Sequence, residues 1–267
     1  MAVVETEEHG QILVVRMNRP ERLNALGQEM RTLLAETWTE FRRSDRFEVA
    51  IFTGTGRAFC AGEDMKESLA RGTPGGTRPA IEDPFMSGAL EKPVIAAVNG
   101  FAMGGGFMLV ERTDLRVAAK GAVFEVSEAK RWLLGGYNHG HVANLPYPIA
   151  MEMALGFRFT AERFYELGFL NRLVEPDQLM TSAFAMAEHL LTLPPASRVN
   201  TVHMMRQMRP APTPEQQHLA GALHEIGAKS DLIESRAAFA EKRRPNFKGW
   251  DDPADRYRLP TLDSLQR

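Results

Sequence analysis

A single cysteine, Cys60, stands in a chain of 267 residues. One thiol excludes an intrachain disulfide framework and fits a reducing compartment. No apolar run comes near the roughly 20 residues needed to cross a bilayer. The N-terminal segment lacks the charged-then-apolar pattern of a secretion signal, so the cytoplasm is the expected location. Neither sign of charge dominates: 32 Lys and Arg face 34 Asp and Glu, a net charge of -2. That balance gives no reason to expect nucleic acid or an anionic membrane as a partner. Two phosphate-binding signatures are also missing around the chain's glycine triplet. No Gly-Lys-Ser/Thr follows it, which excludes a P-loop, and it lacks the G-x-G-x-x-G spacing of a dinucleotide fingerprint.

What is present is an ordinary globular composition, 44% hydrophobic and 25% charged, at a length that suits one large domain or two small ones. Val3–Glu7 alternates like the start of a strand. Ile12–Met17 is rich in β-branched residues and predicts a strand, which Asn18–Pro20 breaks. Met30, Leu33, Leu34, Thr37, Trp38 and Phe41 recur near a 3.6-residue period and predict an amphipathic helix over 28–43. Val49–Thr53 and Val94–Val98 predict buried strands, a helix follows Gly106, and Leu115–Ala119 predicts another strand. This alternation argues an α/β protein. Residues 68–84, with Gly72, Pro74, Gly75, Gly76, Pro79 and Pro84, read as a mobile loop. Ala161–Asn171 reads as a short helix stopped at Gly168, with a short strand at Leu173 and Val174. Beyond Pro195 the pattern is mostly helical, and Met204, Met205 and Met208 are expected to pack a core or an interface. Residues 250–267 are polar, loosely attached or wrapped on a neighbour.

The most informative stretch is Val98–Val110, where Gly104, Gly105 and Gly106 separate two apolar runs. This predicts a strand turning sharply into a helix, with glycine allowing close approach to the main chain. N–H groups at a helix start, aided by the dipole, favour negative charge. That charge is a phosphate, or an oxygen that becomes negative during a reaction. A plain structural turn carries the same pattern. Ile51–Glu67 likewise runs from an apolar strand into a loop of small residues.

Together the segments resemble the enoyl-CoA hydratase/isomerase (crotonase) superfamily. Asn18–Leu26 is similar to its N-terminal signature and Ala58–Lys66 to its first oxyanion loop. Lys92–Gly106 is similar to the second oxyanion loop and Glu241–Lys248 to the C-terminal signature. The resemblance spans nearly the whole chain in the expected order. It implies an α/β, crotonase-like spiral of ββα repeats over 1–199 and a helical C-terminal region over 200–267, engaged in oligomerisation and CoA contacts. It also implies that the loop over 68–84 shapes or covers the acyl pocket.

In that family a thioester carbonyl binds two backbone N–H groups, which fall here on Glu63 and Gly105. One such donor is worth about 3 kcal/mol of barrier. Two glutamates normally complete a hydratase site, because environment can set one carboxyl as acid and the other as base. Glu128, in Phe124–Lys130, takes the second position. The first is Met108, which cannot transfer a proton. Glu111 lies three residues on, broadly on the same helix face; beside Arg112 and Asp114 it also reads as a paired structural glutamate. Tyr137, Asn138, His139 and His141 form a polar cluster where family members carry small residues. Tyr137 and His139 are further acid–base candidates, a surface or capping role being the alternative. No third ligand accompanies His139 and His141, so no metal site is expected.

Trp132 replaces a family glycine. With Met108 it is expected to line the acyl pocket; packing into the core or a subunit contact is the alternative. For CoA, the resemblance implies Arg22, Lys66 and Lys248 as phosphate contacts, Ala61 as a further contact and Phe247 near the adenine. Glu21, where many relatives carry lysine, weakens the contact at Arg22.

The expectation is an acyl-CoA enzyme with no bound cofactor, coenzyme A arriving as part of the substrate. It would run enolate chemistry with one retained glutamate, as hydration, dehydration or double-bond isomerisation. A hydroxycinnamoyl-CoA-type hydratase-lyase, or a hydrolase, is the alternative, since Trp132 and Tyr137 suit an aromatic acyl group. A non-catalytic acyl-CoA or protein-binding member is the reading from another class, on the strength of Met108. The resemblance also implies a homo-oligomer, trimer or hexamer.

Overall fold

The computed structural model describes residues 2–71 and 81–266. In the first half the chain runs β1 (Val4–His9), β2 (Ile12–Met17), α1 (Gln28–Arg43), β3 (Val49–Gly54), β4 (Ala58–Cys60) and α2 (Met65–Arg71). Then come β5 (Val94–Val98), β6 (Phe101–Met103), α3 (Gly105–Arg112), β7 (Leu115–Ala119) and β8 (Val123–Glu125). The second half holds α4 (His139–Val142), α5 (Tyr147–Ala154), β9 (Arg158–Thr160), α6 (Ala161–Glu166) and β10 (Arg172–Val174). It ends with α7 (Leu179–Leu191), α8 (Pro195–Gln207), α9 (Pro214–His224) and α10 (Ser230–Ala240).

These elements form two compact units that interleave in sequence. The first takes the described residues within Met1–Asp64, Gly75–Glu125 and Arg158–Arg209; the second takes those within Met65–Pro74, Val126–Phe157 and Pro210–Arg267.

The first unit holds both sheets. The larger has the order β1-β2-β3-β5-β7-β10 and the smaller β4-β6-β8-β9. The larger sheet is parallel except where β1 pairs antiparallel with β2. Every residue of β3 and β5 is buried, as expected of parallel strands covered on both faces. Edge strand β1 carries Glu5, Glu7 and Glu8 instead, which discourages pairing with another chain. Successive strands alternate between sheets: β3 then β4, β5 then β6, β7 then β8. This is the repeating ββ step of the expected spiral, and α3 closes one turn of it.

Side-chain alternation along β3 explains the packing. Val49 and Ile51 face α7, which contributes Leu179, Ala183, Met186 and Ala187 at i, i+4, i+7 and i+8. Phe52 faces the other way and meets Trp38 of α1 edge-on at 5.2 Å. Phe85 stacks on the same indole at 5.0 Å. A second aromatic cluster fixes α3: Phe107 stacks on Phe169 at 5.4 Å and meets Phe124 edge-on at 6.4 Å.

The second unit is helical. α10 is tied to α2 by Arg236 Nη1 donating to Ser68 Oγ at 2.9 Å. Buried Asp231 accepts from the backbone N–H groups of Lys248 and Gly249, both at 2.8 Å.

Two expectations need correction and a third narrows. Residues 68–71 belong to helix α2 rather than a loop, while 72–80 lie outside the described residues. The helix after the glycines begins at Gly105, inside the triplet. Met204, Met205 and Met208 are 58%, 63% and 66% exposed, so they pack no core of this chain.

Candidate active site

Leu26 pins the first loop. Its N–H donates to Gly62 O at 2.7 Å, and Asp64 N–H donates to Leu26 O at 3.4 Å. In such a parallel bridge the residue between, Glu63, directs its own N–H and C=O to the opposite side. The second loop ends at the start of α3. Gly104, at φ +51° and ψ -118°, turns β6 into the helix. Gly105 is the first helical residue, so its N–H has no carbonyl one turn back to bond.

Glycine at 62 and at 105 lets the two loops close on each other. A Cβ on Gly62 would lie 2.6 Å from Met103 O and 3.1 Å from Gly105 N. A Cβ on Gly105 would lie 4.0 Å from Glu63 N. Gly106 is equally constrained, since a Cβ there would lie 2.1 Å from Cys60 O. Among the described residues neither the Glu63 nor the Gly105 N–H donates to a protein acceptor. They are two neighbouring N–H groups without a protein acceptor among the described residues, one of them at a helix start, where the dipole favours negative charge. Beneath them, burial pushes the Cys60 thiol up to about 12, against the lowering effect of the Gly62 N–H that it accepts at 3.4 Å.

Beside this pair lies a clamp that sequence reasoning did not single out. Buried Asp64 accepts from Arg19 Nη1 at 3.0 Å and from Arg22 Nη2 at 3.2 Å. Its residues sit inside the two motifs already quoted, but only the fold reveals the pairing. Arg22 is thus held by Asp64. Glu21 lies 3.7 Å from Arg19 and is itself mostly exposed. Ala61 N–H is bonded to Leu23 O at 2.9 Å.

Met108 is half-buried on α3, whereas Glu111 is buried. Arg116 Nη2 donates to Glu111 O at 2.8 Å, and the Glu111 carboxylate opposes the lowering that burial imposes on Arg112 and Arg116. Asp114 is not engaged with Glu111; it accepts from Val94 N and from Arg206 Nε, both at 2.8 Å.

In the second unit, Glu128 precedes a short 3-10 turn over Ala129–Arg131. Its Oε1 lies 3.9 Å from His139 Nε2. Tyr137 and His141 are exposed. The Trp132 ring packs against His224 at 5.0 Å and lies 3.4 Å from a Cβ built on Gly227. Lys66 is exposed on α2 and Phe247 is half exposed. Lys248 pairs with Asp251. Among the described residues no group of three or more His, Cys, Asp or Glu is placed to hold a metal ion. Nor is any helix among them long and apolar enough to cross a membrane.

Residues 7–250 match the enoyl-CoA hydratase/isomerase family. An enoyl-CoA hydratase of Mycobacterium tuberculosis is 34% identical, over 93% of this chain and 99% of its own. The (E)-benzylidenesuccinyl-CoA hydratase of Thauera aromatica is 33% identical, over 92% of this chain and 99% of its own. The crystal structure of a carnitinyl-CoA hydratase from Mycobacterium avium matches with a TM-score of 0.80 at 29% identity, covering 93% of this chain and 99% of that one.

Proposed function

The chain belongs to the enoyl-CoA hydratase/isomerase (crotonase) family, and from that premise we propose that it is an acyl-CoA lyase or isomerase working through an enolate. The observation that carries the reading is the pair of adjacent N–H groups on Glu63 and Gly105, which donate to no acceptor among the described residues. A thioester oxygen between them gains two hydrogen bonds that strengthen as charge moves onto it. Glu128, at the family's second glutamate position, is the proton-transferring carboxylate. Proton removal from the carbon beside the thioester leaves the electron pair delocalised onto that oxygen.

Addition or removal of water is the preferred reaction. Its support is the naming of the relatives as hydratases and a dehydratase. One observation favours isomerisation as a second reading: Met108 leaves the usual water-activating position without a carboxylate. We propose Arg22, Ala61, Lys66, Phe247 and Lys248 as coenzyme A contacts, with a phosphate at Arg22 sharing the guanidinium with Asp64. Exposed Met204, Met205 and Met208 on the first unit and Ile233, Phe239 and Tyr257 on the second support self-association as a homo-oligomer.

The test is incubation with a panel of enoyl- and hydroxyacyl-CoA thioesters read by mass spectrometry. Gain or loss of water supports the preferred reaction. An unchanged mass with a moved double bond supports isomerisation, and carbon–carbon cleavage supports a lyase of the hydroxycinnamoyl type. Glu128→Gln is expected to abolish turnover while acyl-CoA binding survives. Binding without turnover by the unaltered protein over the whole panel would replace the enzyme reading with a non-catalytic one.

A further inference from the structure

Glu128 and His139 are brought together by the second unit, eleven positions apart in sequence. The 3.9 Å between Oε1 and Nε2 is too long for a hydrogen bond and short enough for strong Coulomb coupling. Both side chains are withdrawn from water, at 19% and 10% exposed. Glu128 Oε2 is fully buried and meets no hydrogen-bond donor. Gly135 and Gly136 lie against it, a Cβ on either coming to an ordinary contact distance of 3.6 Å from the Glu128 side chain. An ionised carboxylate in such a place is stabilised by a positive neighbour.

The imidazole is held in place by α4. Gly140 lets that helix close on α5, where a Cβ would meet Ala150 at 2.4 Å. The other titratable or charged side chains on the packed elements are Tyr137, His141, Tyr147, Glu152, Lys130 and Arg131, with Glu215, His218 and His224 on α9 and Asp231, Glu234 and Arg236 on α10. Tyr137 and His141 are exposed. Arg131 lies over the Phe239 ring at 4.3 Å, and Lys130 runs along Gly156.

We propose that His139 is a positioning residue that acts through Glu128, holding its carboxylate ionised and oriented to accept a substrate proton. The proposal rests on the function inferred above. In the resting pair the carboxylate is negative and the imidazole carries a proton on each nitrogen. Glu128 takes the proton from the carbon beside the thioester, and the C–H electron pair stays on the substrate as the enolate. The carboxyl is then neutral and the imidazolium keeps its own protons. A later step returns the proton from Glu128 to carbon in an isomerisation, or to the hydroxyl that the enolate expels as water in a dehydration, restoring the pair without any further reactant.

Two measurements test this. The ring nitrogens of His139 are followed by NMR from about pH 5 to pH 9 in the unaltered protein and in Glu128→Gln. Removing the carboxylate is expected to move the His139 midpoint to lower pH by at least about half a unit. An unchanged midpoint overturns the proposal, whether or not the protein turns over any thioester. For kinetics, His139→Phe is expected to lower kcat at least about tenfold with KM near its original value. His139→Gln, which keeps a polar group there, is expected to restore part of the loss. A kcat within about twofold in the folded His139→Phe protein overturns the proposal. If the unaltered protein turns over no acyl-CoA, the enzyme reading fails, and the positioning role fails with it even where the midpoint moves.

Discussion

Replacing Gly62 by alanine strikes the proposed oxyanion pair through the backbone alone. Gly62 sits at φ +85°, and its new Cβ would lie 2.6 Å from Met103 O and 3.1 Å from Gly105 N. Both neighbours are main-chain atoms, so no flexible side chain can yield. The left-handed conformation costs alanine roughly 1–2 kcal/mol. Forcing the loops apart adds about 1–3 kcal/mol of overpacking. Gly121→Ala is the control, because Gly121 has φ +82° but nothing within 4 Å of its Cβ. It carries the backbone cost alone. The difference in denaturant stability between the two variants is therefore expected to be about 1–3 kcal/mol. Turnover should separate them further. Displacing one oxyanion donor removes about 3 kcal/mol of transition-state stabilisation, on the order of a hundredfold in kcat. Gly121→Ala should keep full activity. The assays are urea unfolding and turnover of the best thioester at saturating concentration. A folded Gly62→Ala protein with the kcat of the control would refute the convergence argument.

The remaining predictions test other parts of the reading. Met108→Glu should create or raise hydration of crotonyl-CoA, followed by loss of enoyl absorbance; no change would show that a carboxylate at 108 has no role in this pocket. Asp64→Asn should destabilise by about 3 kcal/mol, because two arginines lose a buried partner. Glu21→Gln should cost no more than about 0.5 kcal/mol, its pair being exposed; equal urea midpoints would contradict this ranking. Cys60 should stay silent to a thiol reagent at pH 8 until denaturant is added, since burial holds it protonated up to about 12. The sign of its linkage follows: above the ordinary thiol value of 9.0, the unfolded chain loses this proton first. Its contribution to stability therefore falls as pH rises toward about 12. Rapid labelling of the native protein would contradict the burial.

Much of the fold was legible because local pattern and tertiary demand agreed. Ile12–Met17 and Gln28–Arg43 carry the periods of a strand and a helix, and both elements form over those residues. Residues 68–71 misled because the glycines and prolines that follow them suggested a longer loop, while they complete helix α2, on which buried Ser68 accepts a bond from Arg236 far along the chain. For Met204, Met205 and Met208 the sequence left core and interface open, and only the fold removes the core, because sequence marks a side chain as apolar without saying which face of a helix finds a partner.

Sequence by itself determined which backbone positions are permissive and which chemical groups are available. The glycines at 62, 104, 105 and 106, the carboxyl at 128 and the methionine at 108 are facts of composition and order. Tertiary structure alone decided what meets what. It set the Glu63 and Gly105 amides side by side, locked Arg22 onto Asp64, turned Trp132 toward His224 and placed His139 beside Glu128. The physical reason is that spacing along a chain fixes only neighbours within a turn or a strand. Contacts across loops depend on how closely two backbones can approach, and that is set by side chains from distant segments packing against one another.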